Sequence, residues 1–140
     1  MGYLRRALIA VIPLLVLAGC GGPEPAQEDD TTKDLRQISS AYEVIMSGKN
    51  RPPKSMDEIR QVLSELHAAG MGDAPDEVLV SSRDGQPYVV KLGVELGSGA
   101  GGVFAHEQTG VDGKRYVMTM SRDVSLMSNE EFSQLNKPGS

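Results

Sequence analysis

Few residues in this 140-residue chain are of types that do chemistry, and the most distinctive is its single cysteine, in the stretch LVLAGCGG from Leu15 to Gly22. A thiol can act as a nucleophile, bind a metal as thiolate, pair in a disulfide, or carry a thioether-linked lipid. One cysteine excludes an internal disulfide framework and a thiolate metal cluster. The other candidates are the two histidines, His67 and His106, with Glu107, Asp112 and Asp123 as carboxylates that a hydrolytic or metal-dependent site would require. Such a site needs at least two of them to converge in one pocket with a nucleophile or metal. His106 with Glu107 alone falls short of a zinc ligand set. Glu28, Asp29 and Asp30 form an acidic run, but no turn glycine or regular ligand spacing organises them around a cation. The loop from Gly93 to Gly102 holds five glycines in ten residues without G-K-[ST] or dinucleotide-binding spacing, so a phosphate cradle is not expected there.

The surroundings of Cys20 favour lipid. Gly2 to Arg6 is a short positive region, and Ala7 to Ala18 is an apolar run of twelve residues interrupted only by Pro13. About twenty apolar residues are needed to cross a bilayer as a helix, so twelve after a basic start reads as the core of a signal peptide. Leu17-Ala18-Gly19-Cys20 then resembles the lipobox of bacterial lipoproteins. Small Ala18 and Gly19 fit a narrow peptidase site, Leu17 anchors it, and the thiol carries the diacylglycerol. The resemblance implies a signal peptide over 1–19 and lipidation at Cys20. Gly21 is not the aspartate that resembles an inner-membrane retention signal, which favours the outer membrane in a cell that has one; the expected location is the cell membrane or outer membrane, with the body facing the periplasm or exterior.

Composition agrees with a small appended body. Hydrophobic residues make up 39% of the chain, with no tryptophan and two phenylalanines, so Leu, Val, Ile and Met must build the core. Net charge is -5; without residues 1–19 the chain has 12 basic and 19 acidic side chains, a net of -7. Without a basic cluster nothing supplies the field that neutralises phosphates, which argues against nucleic acid as a partner. Residues 20–31 read as a lipidated flexible linker rich in Gly, Pro and acid, and 32–137 as one small α+β domain.

The elements of that domain follow from periodicity. Leu35, Ile38, Tyr42 and Ile45 mark the apolar face of a first helix, with Thr31 and Asp34 as a capping-box variant and Gly48 as its stop. Tyr42 is expected to be half-buried packing. After Pro52-Pro53, the S-x-x-E pair Ser55 and Glu58 caps a second helix with Ile59, Val62, Leu63 and Leu66 inward and Gly70 at its end. His67 near that end reads as a surface or capping residue. Period two begins near residue 77. Val78–Ser81 and Tyr88–Leu92 are expected as strands of a hairpin around Asp84-Gly85, with Pro87 opening the second. A flexible surface excursion follows over Gly93–Gly102. Val103–His106, Lys114–Met120 and Val124–Met127 are further strands, with Met118, Met120 and Met127 as core or sheet-face filling. Ser128 and Glu131 cap a last helix carrying Phe132 and Leu135. The expected architecture is two helices, an antiparallel sheet of four or five strands, then a terminal helix, with the helices on one face.

The stretch DLRQISSAYEVIMSGKNRPPKSMDEIRQVL is similar to the region after the membrane helix in type II secretion pseudopilin-like proteins, and to small planctomycete-type lipoproteins and the DUF1559-like group. The matching residues are Leu35, Arg36, Gln37, Ile38, Tyr42, Pro52, Pro53, Ser55, Glu58 and Ile59. Asp84, Gly85 and Pro87 to Val90 resemble their later hairpin, and Arg115 to Val117, Val124, Met127, Glu130, Glu131 and Phe132 their ending. The resemblance implies a pseudopilin-like fold and no catalytic signature. Pseudopilins begin with a prepilin cleavage site and a long filament-forming helix, and here a lipobox and acidic spacer stand instead. The functional expectation is a non-enzymatic, lipid-anchored envelope protein with a binding or structural role toward another envelope protein and no cofactor. The alternatives are an accessory subunit or inhibitor of a secretion or envelope complex, and a small envelope hydrolase.

Overall fold

The computed structural model describes residues 29–97 and 101–137. Its first helix, α1 (Asp30–Lys49), starts before the expected boundary because Asp29 caps it, its carboxylate accepting the Thr31 N–H at 3.0 Å. Thr31 and Asp34 do not form the cap. Both are buried inside the helix, and Asp34 instead accepts a hydrogen bond from the Tyr88 hydroxyl at 3.1 Å. Gly48 does not stop the helix either. It ends at Lys49, and Asn50 turns the chain in the left-handed conformation that Asn tolerates better than most residues.

Helix α2 (Met56–Ala68) is capped by Ser55, whose hydroxyl accepts the Glu58 N–H at 3.4 Å. The Glu58 carboxylate reaches one residue further back, to the Lys54 N–H, and pairs with Arg51 and Lys49. The Arg51 guanidinium, that N–H and the Lys49 ammonium hold the Glu58 carboxyl well below the usual carboxylate range. Gly70, at φ 73°, closes the helix as expected: its N–H reaches the His67 carbonyl and the Met71 N–H the Leu66 carbonyl.

Residues 78–81 do not form the expected strand. Pro75 at the first helical position starts a one-turn helix, α3 (Pro75–Val78), which uses Val78 as a core residue. The Asp84-Gly85 turn does form, closed by a single bridge between Val80 and Pro87. The missing N–H of Pro87 and the α3 turn leave no room for a longer ladder.

The sheet is an antiparallel meander of four strands in chain order, β1 (Val89–Val90), β2 (Val103–His106), β3 (Lys114–Thr119) and β4 (Val124–Ser128). β1 is shorter than the expected Tyr88–Leu92 and pairs with β2 rather than with the segment before it. The described part of the loop after it, up to residue 97, is anchored. Gly93 N–H bonds the Pro53 carbonyl, Gly97 N–H bonds the Met120 carbonyl, and Val94 and Leu96 pack on the core.

One face of the sheet carries the main core. Leu35, Ile38, Tyr42 and Ile45 of α1 and Ile59 and Leu63 of α2 close over Phe104, Ala105, Met118 and Met120. Tyr42 is fully buried, not half-buried, packing edge-on against Phe104 with ring centroids 5.0 Å apart. Its hydroxyl donates to the Val94 carbonyl at 2.7 Å and accepts the Val94 N–H at 3.0 Å, which ties the loop to α1.

Helix α4 (Asn129–Leu135) departs from the expected single-faced arrangement. Phe132 stacks on His106 with centroids 4.6 Å apart and lies under the Arg115 guanidinium. Along their strands these two residues alternate with Ala105, Tyr116 and Met118, which belong to the α1 side. The terminal helix therefore covers the opposite face. The fold is α+β, with N-terminal helices on one side of the sheet and a short C-terminal helix on the other.

Candidate functional site

Among the described residues, the candidates for a catalytic or metal site are not brought together. Cys20 and Glu28 lie outside the described residues. His67 sits at the end of α2, its Nδ1 2.9 Å from the Gly72 carbonyl. His106 faces α4, with Nδ1 2.7 Å from the Glu107 carbonyl, and burial lowers its pKa below the usual value. Its chain neighbour Glu107 points to the other face by the alternation of the strand. Asp112 and Asp123 flank opposite ends of β3, separated by the length of the strand, roughly 20 Å at 3.3 Å per residue. Asp29 and Asp30 are divided between a helix cap and the first turn of α1. Among the described residues no group of three or more His, Cys, Asp or Glu is placed to hold a metal.

Glu107 has a definite role nevertheless. It is fully buried, and Oε1 accepts from the Ser81 hydroxyl at 2.8 Å. Its other oxygen accepts from Arg83 at 3.1 Å and from the Tyr116 N–H at 2.8 Å. Arg83 in turn lies 4.8 Å over the Tyr116 ring. A carboxylate with both oxygens committed to donors holds structure together and is not exposed to a substrate. Asp84 is engaged in the same region, accepting the Thr109, Gly110 and Gln86 N–H groups at 2.9, 2.9 and 3.0 Å. Burial pulls its pKa up, but those backbone donors together keep it below the usual value. The cluster therefore clamps the 81–88 turn onto β2, β3 and the turn between them. Sequence reasoning missed Ser81 and Arg83 because their partner is 24 to 26 residues away and no local pattern points to it.

Among the described residues, Asp34 is a buried carboxyl whose titration is strongly altered. Burial, followed by the nearby charges of Asp30 and Asp73, raises its pKa to about 6 against the opposing hydrogen bond from Tyr88 and the charge of Lys33. The adjoining concavity, about 290 Å³, is lined by Asp30, Lys33, Asp34, Asp73, Glu77 and Ser82. Lys33 and Asp73 already pair across it at 2.5 Å, and Asp73 also accepts from the Gln37 amide at 2.8 Å.

The surface with the larger unfilled concavity lies elsewhere. A groove of about 590 Å³ runs along β4 beside α4, lined by Ser125, Leu126, Met127, Glu131, Gln134 and Leu135. The surface it exposes is mostly apolar, and Leu126 in its lining is 46% exposed. α4 is fixed beside it by a reciprocal capping box, in which the Ser128 hydroxyl accepts the Glu131 N–H and the Glu131 carboxylate accepts the Ser128 N–H. The groove offers apolar contact beside strand-edge backbone, surfaces of the kind used in polypeptide docking. Its sequence signal was present in VSLMS, an uncharged strand with Leu126 between two serines.

No protein-family model, no curated protein and no solved structure matches this chain. The fold and the groove define a small α+β body with an open sheet edge. Among the described residues no helix is long and apolar enough to cross a membrane.

Proposed function

We propose that this is a lipid-anchored protein of the bacterial cell envelope whose body has a non-catalytic binding or structural role. The observation that carries the reading is Leu17-Ala18-Gly19-Cys20 placed directly after a basic start and a twelve-residue apolar run. Lipid on the Cys20 thiol supplies the membrane affinity, and two or more acyl chains are required for a stable anchor. Residues after Cys20 serve as a spacer, and the body beyond it faces the periplasm or exterior and meets another envelope polypeptide. The groove along β4 supports a binding role. The scatter of His67, His106, Glu107, Asp112 and Asp123 lends no support to a hydrolase.

The test is membrane retention of the full chain in a host that processes lipoproteins. Wild-type protein is expected in the membrane pellet after high-salt washing and to partition into detergent. The Cys20→Ser variant is expected to lose that retention. A C20S protein as tightly bound as wild type contradicts the anchor.

A further inference from the structure

We propose that the entry of α1 is a pH-operated latch. Protonated Asp34 holds the first two turns of the helix against Tyr88, and loss of that proton loosens this end while the rest of the core stays closed. The latch goes beyond the binding role above and does not itself depend on the lipid anchor. The two halves of α1 are held in different ways. Ile38, Ala41, Tyr42 and Ile45 belong to the apolar core. Ahead of them the buried side chains are Thr31, Asp34 and Leu35, of which only Leu35 is apolar. The buried Thr31 hydroxyl has no hydrogen-bond partner among the described residues, a cost that water would relieve if this end opened. Asp34 is 8% exposed, and the Tyr88 hydroxyl donating to its Oδ2 at 3.1 Å joins the helix end to the residue just before β1.

Charge around Asp34 is one-sided. Asp30 lies one turn before it on α1, Asp73 comes from the segment between α2 and α3, and Glu77 from α3, all lining the same concavity. Lys33 is the cation in that lining, and it is already paired with Asp73 at 2.5 Å. The 81–88 turn contributes Ser82 and Tyr88, both uncharged, since burial and the charge of Asp34 push the Tyr88 hydroxyl far above its usual range. Arg83 and Asp84 of that turn are committed to Glu107 and to the Thr109 and Gly110 N–H groups. His67 of α2 is close enough to Asp73 for its charge to act there, so its imidazole is a second titratable group to separate from Asp34. Ionised Asp34 thus adds a fourth carboxylate beside a single committed ammonium, with little water to solvate it. Protonation removes that charge and keeps an oxygen for the Tyr88 hydroxyl.

Burial and the charges of Asp30 and Asp73 raise the Asp34 pKa to about 6 in the closed helix end, and opening returns it to the ordinary carboxylate range. The latch is therefore fully engaged below pH 4 and loses its advantage as pH rises through 6. The ceiling on that change is about a hundredfold in the opening equilibrium. In the reading above, this is the end at which the spacer from Cys20 joins the body. Two opened turns, stretched from about 1.5 to about 3.3 Å per residue, lengthen the leash by roughly 12 Å, so pH sets how far the body reaches.

The experiment is amide hydrogen exchange of the full chain, read by peptide mass between pH 4.5 and pH 7.5 and corrected for the intrinsic exchange rate at each pH. Protection over 34–38 is expected to fall by about tenfold or more at the higher pH, while 43–48, 103–106 and 114–119 change by less than about threefold. Asp34→Asn is expected to flatten the dependence over 34–38, and His67→Gln to leave it as in wild type. Asp73→Asn removes a neighbouring negative charge and frees Lys33, so the midpoint is expected to move to lower pH; a midpoint is readable even in a less stable variant. Wild-type protection that does not change with pH overturns the proposal, as does a loss shared equally by 103–106 and 114–119. The same pH dependence in D34N, its disappearance in H67Q, or an unmoved midpoint in D73N also overturns it. A chain without lipid that still shows the Asp34-dependent change removes the anchor and leaves the latch intact, and a lipidated chain with flat exchange does the reverse.

Discussion

Asp34 shows at the scale of one residue how burial sets a measurable property. Its carboxyl titrates at about 6 in the folded protein against about 3.9 in an unfolded chain. The folded state therefore holds the proton more tightly. This favours folding fully below pH 4, and the advantage is lost as pH rises through 6. Asn keeps an oxygen to accept the Tyr88 hydroxyl but has no charge to bury. Asp34→Asn is thus expected to be more stable than wild type at pH 8, by on the order of 2 kcal/mol, and about equal to it near pH 4. Denaturant unfolding at the two pH values checks this, and a pH-independent difference contradicts it. Tyr42 gives a complementary case. Tyr42→Phe keeps the packing on Phe104 but leaves both backbone groups of Val94 without their partner. A loss of about 1–3 kcal/mol is expected, with faster amide exchange at Val94. Unchanged stability and exchange would show that the loop is held by other contacts.

At the scale of elements, what was legible in the sequence depended on whether the signal was local. Both S-x-x-E motifs cap helices, and Gly70 ends α2, because a cap joins residues three or four apart. The start of α1 went unread since Asp29 lies in an acidic, proline-rich stretch whose composition points to coil. The apolar run Val78-Leu79-Val80 reads as a strand and masks the helix signal of Pro75. The placement of α4 on the far face was out of reach, because it depends on Phe132 meeting His106 and Arg115 from two other strands. The candidate site divides in the same way. The groove strand was visible as an uncharged apolar segment, whereas the bonds that commit Glu107 to Ser81, Arg83 and Tyr116 are non-local. Ser128→Ala removes one half of the capping box and is expected to cost about 1 kcal/mol. The change should appear as faster amide exchange confined to α4, with β2 and β3 unaffected; global loosening would mean that α4 supports the whole sheet.

For the molecule as a whole, the division of labour is by position along the chain. In the proposed reading the chemistry belongs to Cys20, while among the described residues the polar groups go to caps, turns and the buried Glu107 cluster. Among the described residues those bonds leave the β4 edge with its groove unprotected.

The claim on which this picture rests is lipidation, and intact mass analysis of the mature N-terminus tests it most directly. The account predicts an N-terminal peptide that begins at Cys20 and carries the mass of a thioether-linked diacylglycerol. A mature chain beginning at another residue, or an unmodified thiol at Cys20, would contradict it.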